Sequence, residues 1–569
     1  MRTIYTLHNF LKKLKDDSFG DEQIGLDSEL IIDSSIIDWD FRAIKNVTFE
    51  KLVRVRNAEI NSGLAFYNCD FKKGIIFSSI KCTNFDSTIN RDNFSVLISS
   101  CKASLIQFDA NCFLDRAIKI EKQSEINSLC IIETHIKNGG IKLSSSKIHK
   151  IFDTNNIASE LSLRDMTVNT SIRLQSQFGD ISFISSSFFD FVDIWNVECY
   201  NSLTLNNNTF HDTFRVRGSR IKSLSMHGDT FNKSVKFENA DIINNNKPPI
   251  IARCEEIYIS EANFIEGAVF EGAAKIINQI TLPVTPNFQG VVTFNDWEIN
   301  KFLVSGVNQS LKLLLKNLKL KALKFIDFTN YNDLSFDKCK STNDGILELK
   351  DCDLGKAKFN EFNFDSFNKI KIDNVTLDEI RASNVKWFSQ DSLEIFSTDV
   401  SNWENHRRIR EVYRQIKHAL IKSGNQIDSL TFKAREIEAY RNELKSGNYN
   451  WGDKVIMTVS RTNNFGLNWR KPLGLIFLIT VGFYILMLPL FSDKIHYTTD
   501  FNFELKQMFF ELYDNIKVFW QLFNPTRKFS SVYGMHDSGW LYFLDIIHKL
   551  VLGIFIFQII KGFRRLNLK

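Results

Sequence analysis

Along most of this chain, two apolar residues separated by one position are followed by a polar stretch holding one further apolar residue, and the unit then repeats. Between 161 and 237 the doublets are Leu161/Leu163, Ile172/Leu174, Ile181/Phe183, Val192/Ile194, Leu203/Leu205, Phe214/Val216, Leu224/Met226 and Val235/Phe237, with starts 11, 9, 11, 11, 11, 10 and 11 residues apart. Residues two apart on an extended strand share a face, so each doublet marks a short strand with one apolar side. A third apolar residue follows about five positions on, as in LTLNNNTF (203–210) and LSMHGDTF (224–231). One such unit cannot bury its face alone, whereas stacked copies share a continuous core.

The register continues upstream through Leu64/Phe66, Ile75/Phe77, Val96/Ile98, Ile106/Phe108, Ile118/Ile120, Leu129/Ile131 and Ile141/Leu143. Downstream it returns at Ile257/Ile259, Leu334/Phe336, Leu347/Leu349 and Ala357/Phe359. Asn, Ser, Asp and Lys clusters between the doublets fit tight turns, and the long 3.6-period runs of a helical solenoid are absent. Two units make a coil of about 21 residues, and roughly sixteen coils at about 4.8 Å each predict a body on the order of 80 Å long. The fold class expected for 41–400 is mainly β, a right-handed parallel β-helix solenoid. Residues 1–40 are expected to supply the first coil and a helical cap, with Ile4, Leu7, Leu11 and Leu14 on its apolar side, because an open solenoid end exposes a row of unpaired backbone groups.

Composition fits this body. The chain has 51 Phe and only 7 Pro in 569 residues, as stacked interior rings and uninterrupted ladders require. Of nine cysteines, none follows Cys352 and no C-x-x-C pair occurs. Cys69, Cys82, Cys101 and Cys130 fall inside repeats, which suits reduced core thiols in a reducing compartment and neither a disulfide nor a metal framework. Residues 1–16 carry Arg2, Lys12, Lys13 and Lys15 without a continuous apolar run, unlike a signal peptide.

The pattern changes near 400. Ser401 with Glu404 has the spacing of a capping box, and Ile409, Val412, Ile416 and Leu420 follow on one helical face. Gly424 stops that helix, and a second, started by Asn425 or Ser429, places Leu430, Ala434, Ile437, Tyr440 and Leu444 on its apolar side. The expectation is an αα-hairpin over 401–450, followed by a juxtamembrane linker, 451–471. The basic group His406, Arg407, Arg408, Arg410 and Arg414 reads as a solvated helix face.

Residues 472–569 read as a two-span transmembrane domain. Pro472–Phe491 is twenty residues without a charge, and Trp540–Ile560 is the second candidate; both are long enough for a hydrocarbon core of about 30 Å. From residue 401 onward Lys and Arg outnumber Asp and Glu 24 to 14, whereas residues 1–400 carry 47 against 52. That balance does not suit a nucleic-acid-binding solenoid, and no direct nucleic-acid binding is expected. Arg461, Arg470 and Lys471 before the first span, and Arg564 and Arg565 after the second, form the basic juxtamembrane, lipid-facing set. The positive-inside rule then puts both termini in the cytoplasm.

The second span carries Asp545, His548 and Lys549 within one helical turn. Ionisable groups in a span face a partner, a cavity or a water path, so these three are the functional candidates; Asp545 and Lys549 are also spaced to pair with each other. The loop 492–539 holds an aromatic, charged stretch, 503–523. It suits an amphipathic helix that lies in the interface or dips between the spans, with Phe509, Phe510, Phe519 and Trp520 as its apolar residues. Pro525 stops it.

The stretches VYRQIKHALIKSGNQIDSLTFKAREIEAYR (412–441), SRTNNFGLNWRKPLG (460–474) and LVLGIFIFQIIKGFRR (550–565) give residues 410–569 a family likeness. In the order of solenoid, hairpin and paired spans the chain resembles bacterial pentapeptide-repeat-type membrane proteins, including their ion-channel-like members. Ser460, Gly466, Lys471 and Pro472 match that family's approach to the first span. The repeats depart from a strict A-[DN]-L-x-x pattern, their spacing drifting between 9 and 12. The resemblance implies a bacterial inner membrane and supplies no catalytic residues.

No enzyme is expected: the acids Asp190, Asp193, Asp212, Asp229 and Asp241 are scattered, His211 and His227 sit at different offsets, and no H-E-x-x-H, G-x-S-x-G or phosphate-binding glycine loop occurs. No metal or cofactor is expected either. Two functions remain. In one, a cytoplasmic solenoid senses a protein or ligand trigger and, through the hairpin, controls a homo-oligomeric two-span channel, as a bacterial stress or anti-phage response would need. In the other, the spans tether a protein-interaction scaffold that does not conduct.

Overall fold

The computed structural model describes residues 3–16, 18–37, 43–60, 63–82, 94–238, 255–394, 401–446, 451–492, 494–495, 505–534, 536 and 538–563. It divides into two compact units, Met1–Glu394 and Ile395–Lys569.

The first unit is a parallel β-solenoid of about 16 turns over residues 3–394. Its coil has four strands. Val53–Arg56 and Leu64–Tyr67 are four-residue strands, each followed by a two-residue strand, Glu59–Ile60 and Asp70–Phe71. Four rows of parallel pairing climb from coil to coil: Val53–Ile75–Ile106–Leu129, Ile60–Cys82–Leu114–Ile136, Leu64–Val96–Ile118–Ile141 and Phe71–Ala103–Ile126–Ile148. In several coils the strands run unbroken through the corners, as in Lys147–Arg164, Asn263–Val284 and Gln289–Asn308.

Between a long strand and the following short one stands a residue with positive φ: Asn46 (59°), Asn57 (48°), Asn68 (52°), Ser79 (50°), and later Asn196 (52°) and Asn207 (55°). A left-handed residue turns the chain sharply, and Asn, Asp and Ser tolerate it better than branched side chains do. The polar clusters between doublets are therefore the corners of the coil. All the doublets named above are buried. So is the third apolar residue, Phe210 or Phe231, which is the inward side chain of the short strand. In register, Phe188, Phe210, Phe231 and Phe264 stack with centroids 4.8, 4.7 and 5.1 Å apart, close to the spacing of neighbouring strands. This is where the abundance of Phe goes.

The corners also carry an interior polar ladder. Cys101 N donates to Ser124 Oγ (3.1 Å), Ser186 N to Asn208 Oδ1 (3.0 Å), and Asn208 N to Asp229 Oδ1 (2.8 Å). These bonds satisfy corner amides that the parallel ladder cannot reach. Burial pushes Asp229 up to about 7 and Asp153 up to about 6. Eight cysteines are described, all free and all but Cys130 buried.

At the N-terminus, helix α1 (Leu7–Lys15) is capped by Thr6 and buries Phe10 and Leu14; Phe10 meets Phe49 edge-on at 5.9 Å. The expected cap is present, but its inward face is corrected. Ile4 is exposed and belongs to the strand Thr3–Tyr5, which pairs with Ile24–Leu26, so strand pairing already starts at Thr3. Leu7 and Leu11 are half-buried. A single turn, α2 (Ser34–Ile37), follows.

The second unit is helical. Helices α3 (Asn402–Lys422) and α4 (Gln426–Ser446) form the αα-hairpin. Ser401 Oγ accepts from Glu404 N (3.3 Å), Gly424 takes φ +78°, and Asn425 Oδ1 accepts from Asp428 N (3.2 Å). Arg408, Arg410 and Arg414 pair with Glu404, Glu443 and Glu411, while Arg407 stacks on Trp403. Within the expected linker lies a further helix, α5 (Trp451–Thr462), with no buried residue. Two helices are long and apolar enough to cross a membrane, α6 (Arg470–Phe491) and α10 (Gly539–Phe563). Between them run α7 (Leu505–Asp514), α8 (Ile516–Leu522) and α9 (Phe529–Tyr533).

Candidate functional site

Helices α6 and α10 pack antiparallel, and their two ends are fixed differently. At one end Trp469 stacks on Phe563 (5.1 Å), and a Cβ on Gly562 would come within 3.1–3.3 Å of Trp469, so a larger residue there requires Trp469 to shift by a few tenths of an ångström. Beside it, the fully buried Asn463 donates from Nδ2 to Gln558 Oε1 (2.6 Å) and accepts from Gly466 N (2.8 Å). Gly466 has φ +98°, which explains a glycine at that point of the approach to the first span. Arg461, Arg470, Lys471 and Lys561 are all exposed in this part of the unit. Arg564 and Arg565 lie outside the described residues.

The other half of the pair holds the loop. Glu511, on α7, accepts from Ser492 Oγ (3.0 Å) and Lys494 Nζ (2.8 Å) at the C-terminal end of α6; the Lys494 ammonium holds its carboxyl below the usual range. Tyr484 donates to Leu512 O (2.8 Å). Phe519 then lies 5.4 Å from Tyr484 and 6.1 Å from Phe477, and Phe523 lies 6.4 Å from Phe477. The loop thus descends along α6. Phe477 is fourteen residues from Phe491, about 20 Å along the axis at 1.5 Å per residue. The chain turns at Asn524–Thr526 and returns: Phe529 meets Tyr542 (4.5 Å) and Tyr533 meets Phe491 (5.5 Å). The segment is a hairpin folded back along the helix pair and not a helix lying across the ends of the pair. Of its expected apolar residues, Phe519 is buried against α6, whereas Phe509, Phe510 and Trp520 stay exposed.

At the turn, Arg527 is buried and points into the bundle. It donates to Asp545 Oδ1 through Nε (3.0 Å) and Nη2 (2.5 Å), and through Nη1 to Leu522 O (2.8 Å) and Asn524 O (3.2 Å). The guanidinium so closes the C-terminal end of α8 while neutralising a carboxylate on α10. Lys549 Nζ takes the second oxygen of Asp545 (2.7 Å), and Tyr533 donates to the first (3.2 Å). Arg527 Nη2 also lies 3.1 Å from His548 Nδ1, and His548 Nε2 lies 3.2 Å from Thr480 Oγ1. Arginine has donors only, so Nδ1 accepts, and the imidazole proton sits on Nε2, facing Thr480. Asp545 and His548 are each 1 % exposed.

The structure therefore brings Asp545, His548 and Lys549 together, as their spacing on one turn implied. It adds Arg527, Thr480 and Tyr533, which sequence reasoning missed. A basic residue just after Pro525, in an aromatic stretch between apolar spans, was the available signal for Arg527. The network is a lock: one loop residue ties both long helices through a carboxylate, an imidazole and a hydroxyl. Removing one partner from such a buried pair leaves an uncompensated charge.

The surface of the α6–α10 pair is largely apolar. Leu473, Phe477, Leu478, Leu550, Ile554 and Phe557 are exposed, while the tip residues Asn524, Pro525, Thr526 and Lys528 are exposed among them, deep along the helix pair. Among the described residues no group of three or more His, Cys, Asp or Glu side chains is placed to hold a metal ion. No protein-family model and no curated protein matches this chain.

Proposed function

We propose that the chain is a membrane effector: a β-solenoid that binds a protein or ligand trigger, joined through its αα-hairpin to a two-span unit that conducts as a homo-oligomer. The observation that carries this reading is the polar tip of the re-entrant loop. Irregular backbone at membrane depth is tolerated only where it is covered by protein or lines a water-filled cavity. In one chain Asn524, Thr526 and Lys528 are covered by neither. Further copies would enclose them, and two spans per chain need such copies to surround a path. In this reading Asp545, His548 and Lys549 are not the lining; they hold the loop that presents it.

The basic residues Arg461, Arg470, Lys471 and Lys561 support a cytoplasmic placement of both termini under the positive-inside rule. The amphipathic α5, whose Trp451 and Ile456 are exposed, suits a helix lying on the same membrane face. Four strands per coil support the kinship with pentapeptide-repeat proteins, and with it a bacterial inner membrane and a role in stress or phage defence.

A second reading, a tethered scaffold without conductance, is favoured by the complete local pairing of Asp545 and His548, since an anchor would keep its ionisable groups locked. Membrane potential in bacteria expressing the full chain, against a chain stopped after Gly447, separates the two. Depolarisation by the full chain alone supports the channel. An unchanged potential, with the protein verified in the membrane, leaves the tether and a channel awaiting its trigger, which a pull-down on the β-solenoid then separates.

A further inference from the structure

If the loop tip lines an aqueous path, its charges decide what passes, and this step rests on the channel reading above. The turn and returning limb, 524–534, contain two charged residues, Arg527 and Lys528, and no acid. Around the tip, Asp545 is the one carboxylate in the buried cluster, and it is shared by Arg527 and Lys549. Lys528 is exposed and has no ion-pair partner among the described residues. On the descending limb, Glu511 is taken by Lys494 at the far end of α6, and Asp514, the described acid nearest the tip in sequence, also acts on Lys494 there. One negative charge therefore faces three positive ones, and the unshared charge sits on the exposed side chain.

We propose that the path conducts small inorganic anions and that Lys528 determines this selectivity. Rings of Lys or Arg select anions as rings of Asp or Glu select cations. Where the dielectric is lower than in bulk water, an unpaired ammonium repels cations more strongly than it would at a surface. Symmetric copies would repeat Lys528 around the axis, so its effect grows with the number of copies. Arg527 cannot serve in this way, because its donors are spent on Asp545, His548 and the end of α8.

The test uses the full chain with Thr526→Cys, in membranes, and small membrane-impermeant thiol reagents of opposite charge. The unsubstituted chain, whose described cysteines are all buried except Cys130, sets the background. Labelling is expected at 526, about tenfold faster by the anionic reagent, with the preference abolished by Lys528→Gln and reversed by Lys528→Glu. Labelling without charge preference would overturn the anion inference and leave the aqueous path standing. No labelling by either reagent would overturn both. A parallel recording in a potassium chloride gradient should show a reversal potential on the chloride side for the unsubstituted chain, moving toward the potassium side in Lys528→Glu. A cation-side reversal in the unsubstituted chain would contradict the assignment.

Discussion

The two units of this protein solve burial in opposite ways. In the solenoid, Phe188, Phe210, Phe231 and Phe264 fill the interior, and charged pairs such as Lys233 with Glu266 lie outside, where both side chains are about half exposed. In the C-terminal unit, Phe477, Leu550 and Phe557 face outward, and the charged pair, Arg527 with Asp545, is 2 % exposed on both sides. The same residue types are sorted in reverse, and the rule behind the sorting is the same. Each group goes where its interaction with its surroundings is best, and in the proposed membrane placement the difference follows the solvent: water around the solenoid, hydrocarbon around the α6–α10 pair. Along the α6–α10 pair, the polar tip residues Asn524, Thr526 and Lys528 depart from this sorting, and the proposed path rests on that departure.

Charge removal should break the comparison most strongly. Arg527→Leu strips Asp545 of its closest partner in a dry interior and should cost about 3–5 kcal/mol. The double change Arg527→Leu with Asp545→Leu should recover much of that loss, since Lys549 is partly exposed and able to turn outward. Lys233→Leu in the solenoid should cost under about 1 kcal/mol. Thermal unfolding of the detergent-solubilised chain reads all three. An equal loss for Arg527→Leu and Lys233→Leu would mean that the two pairs lie in similar surroundings.

Outward apolar positions sharpen the contrast. Phe557 is 60 % exposed and Tyr331 is 72 % exposed. Phe557→Arg should raise the cost of membrane insertion by about 2.5–3.5 kcal/mol, seen as loss from the membrane fraction. Tyr331→Arg should stay within about 0.5 kcal/mol.

The solenoid interior adds an effect of pH. Asp153 and Asp229 hold their protons in the folded solenoid up to about 6 and about 7, whereas in the unfolded chain they release them near pH 4. The native state therefore binds more protons across that window, and stability falls as pH rises from about 4 to about 7, then levels off. Unfolding followed by solenoid circular dichroism should show a midpoint about 2–4 °C lower at pH 7.5 than at pH 5 from these groups. Asp229→Asn, which stays neutral, should flatten the slope.

Much of the solenoid was legible because its period is short and its doublets are local. Leu203/Leu205 and Leu224/Met226 declare strands without reference to anything distant. The short strands were harder to read: Thr209–Phe210 is only two residues long and shows no alternation, so Phe210 appeared only as a third apolar residue. The cluster on α10 was legible for the same reason of locality, since Asp545, His548 and Lys549 share one turn. Arg527 was not, because its partner Asp545 is 18 residues away and its role depends on a loop folding back along α6. Helix α5 was hidden among Asp453, Lys454 and Arg461, whose charges read as linker while Trp451, Val455 and Ile456 formed an outward apolar side.

The folded-back loop joins the buried lock to the proposed path, and its proposed depth in the membrane can be measured through Trp520. This residue is exposed on α8 between Phe519 and Phe523, about 15 Å from the C-terminal end of α6 by the helical rise. Fluorescence of the reconstituted protein would be compared with that of Trp520→Phe, in lipids brominated near the headgroup or near the chain ends. The difference signal should be quenched most by bromine near the chain ends, while a Trp540→Phe difference should be quenched most near the headgroup. Quenching of Trp520 by the shallow bromines alone would place the loop in the interface and contradict the account.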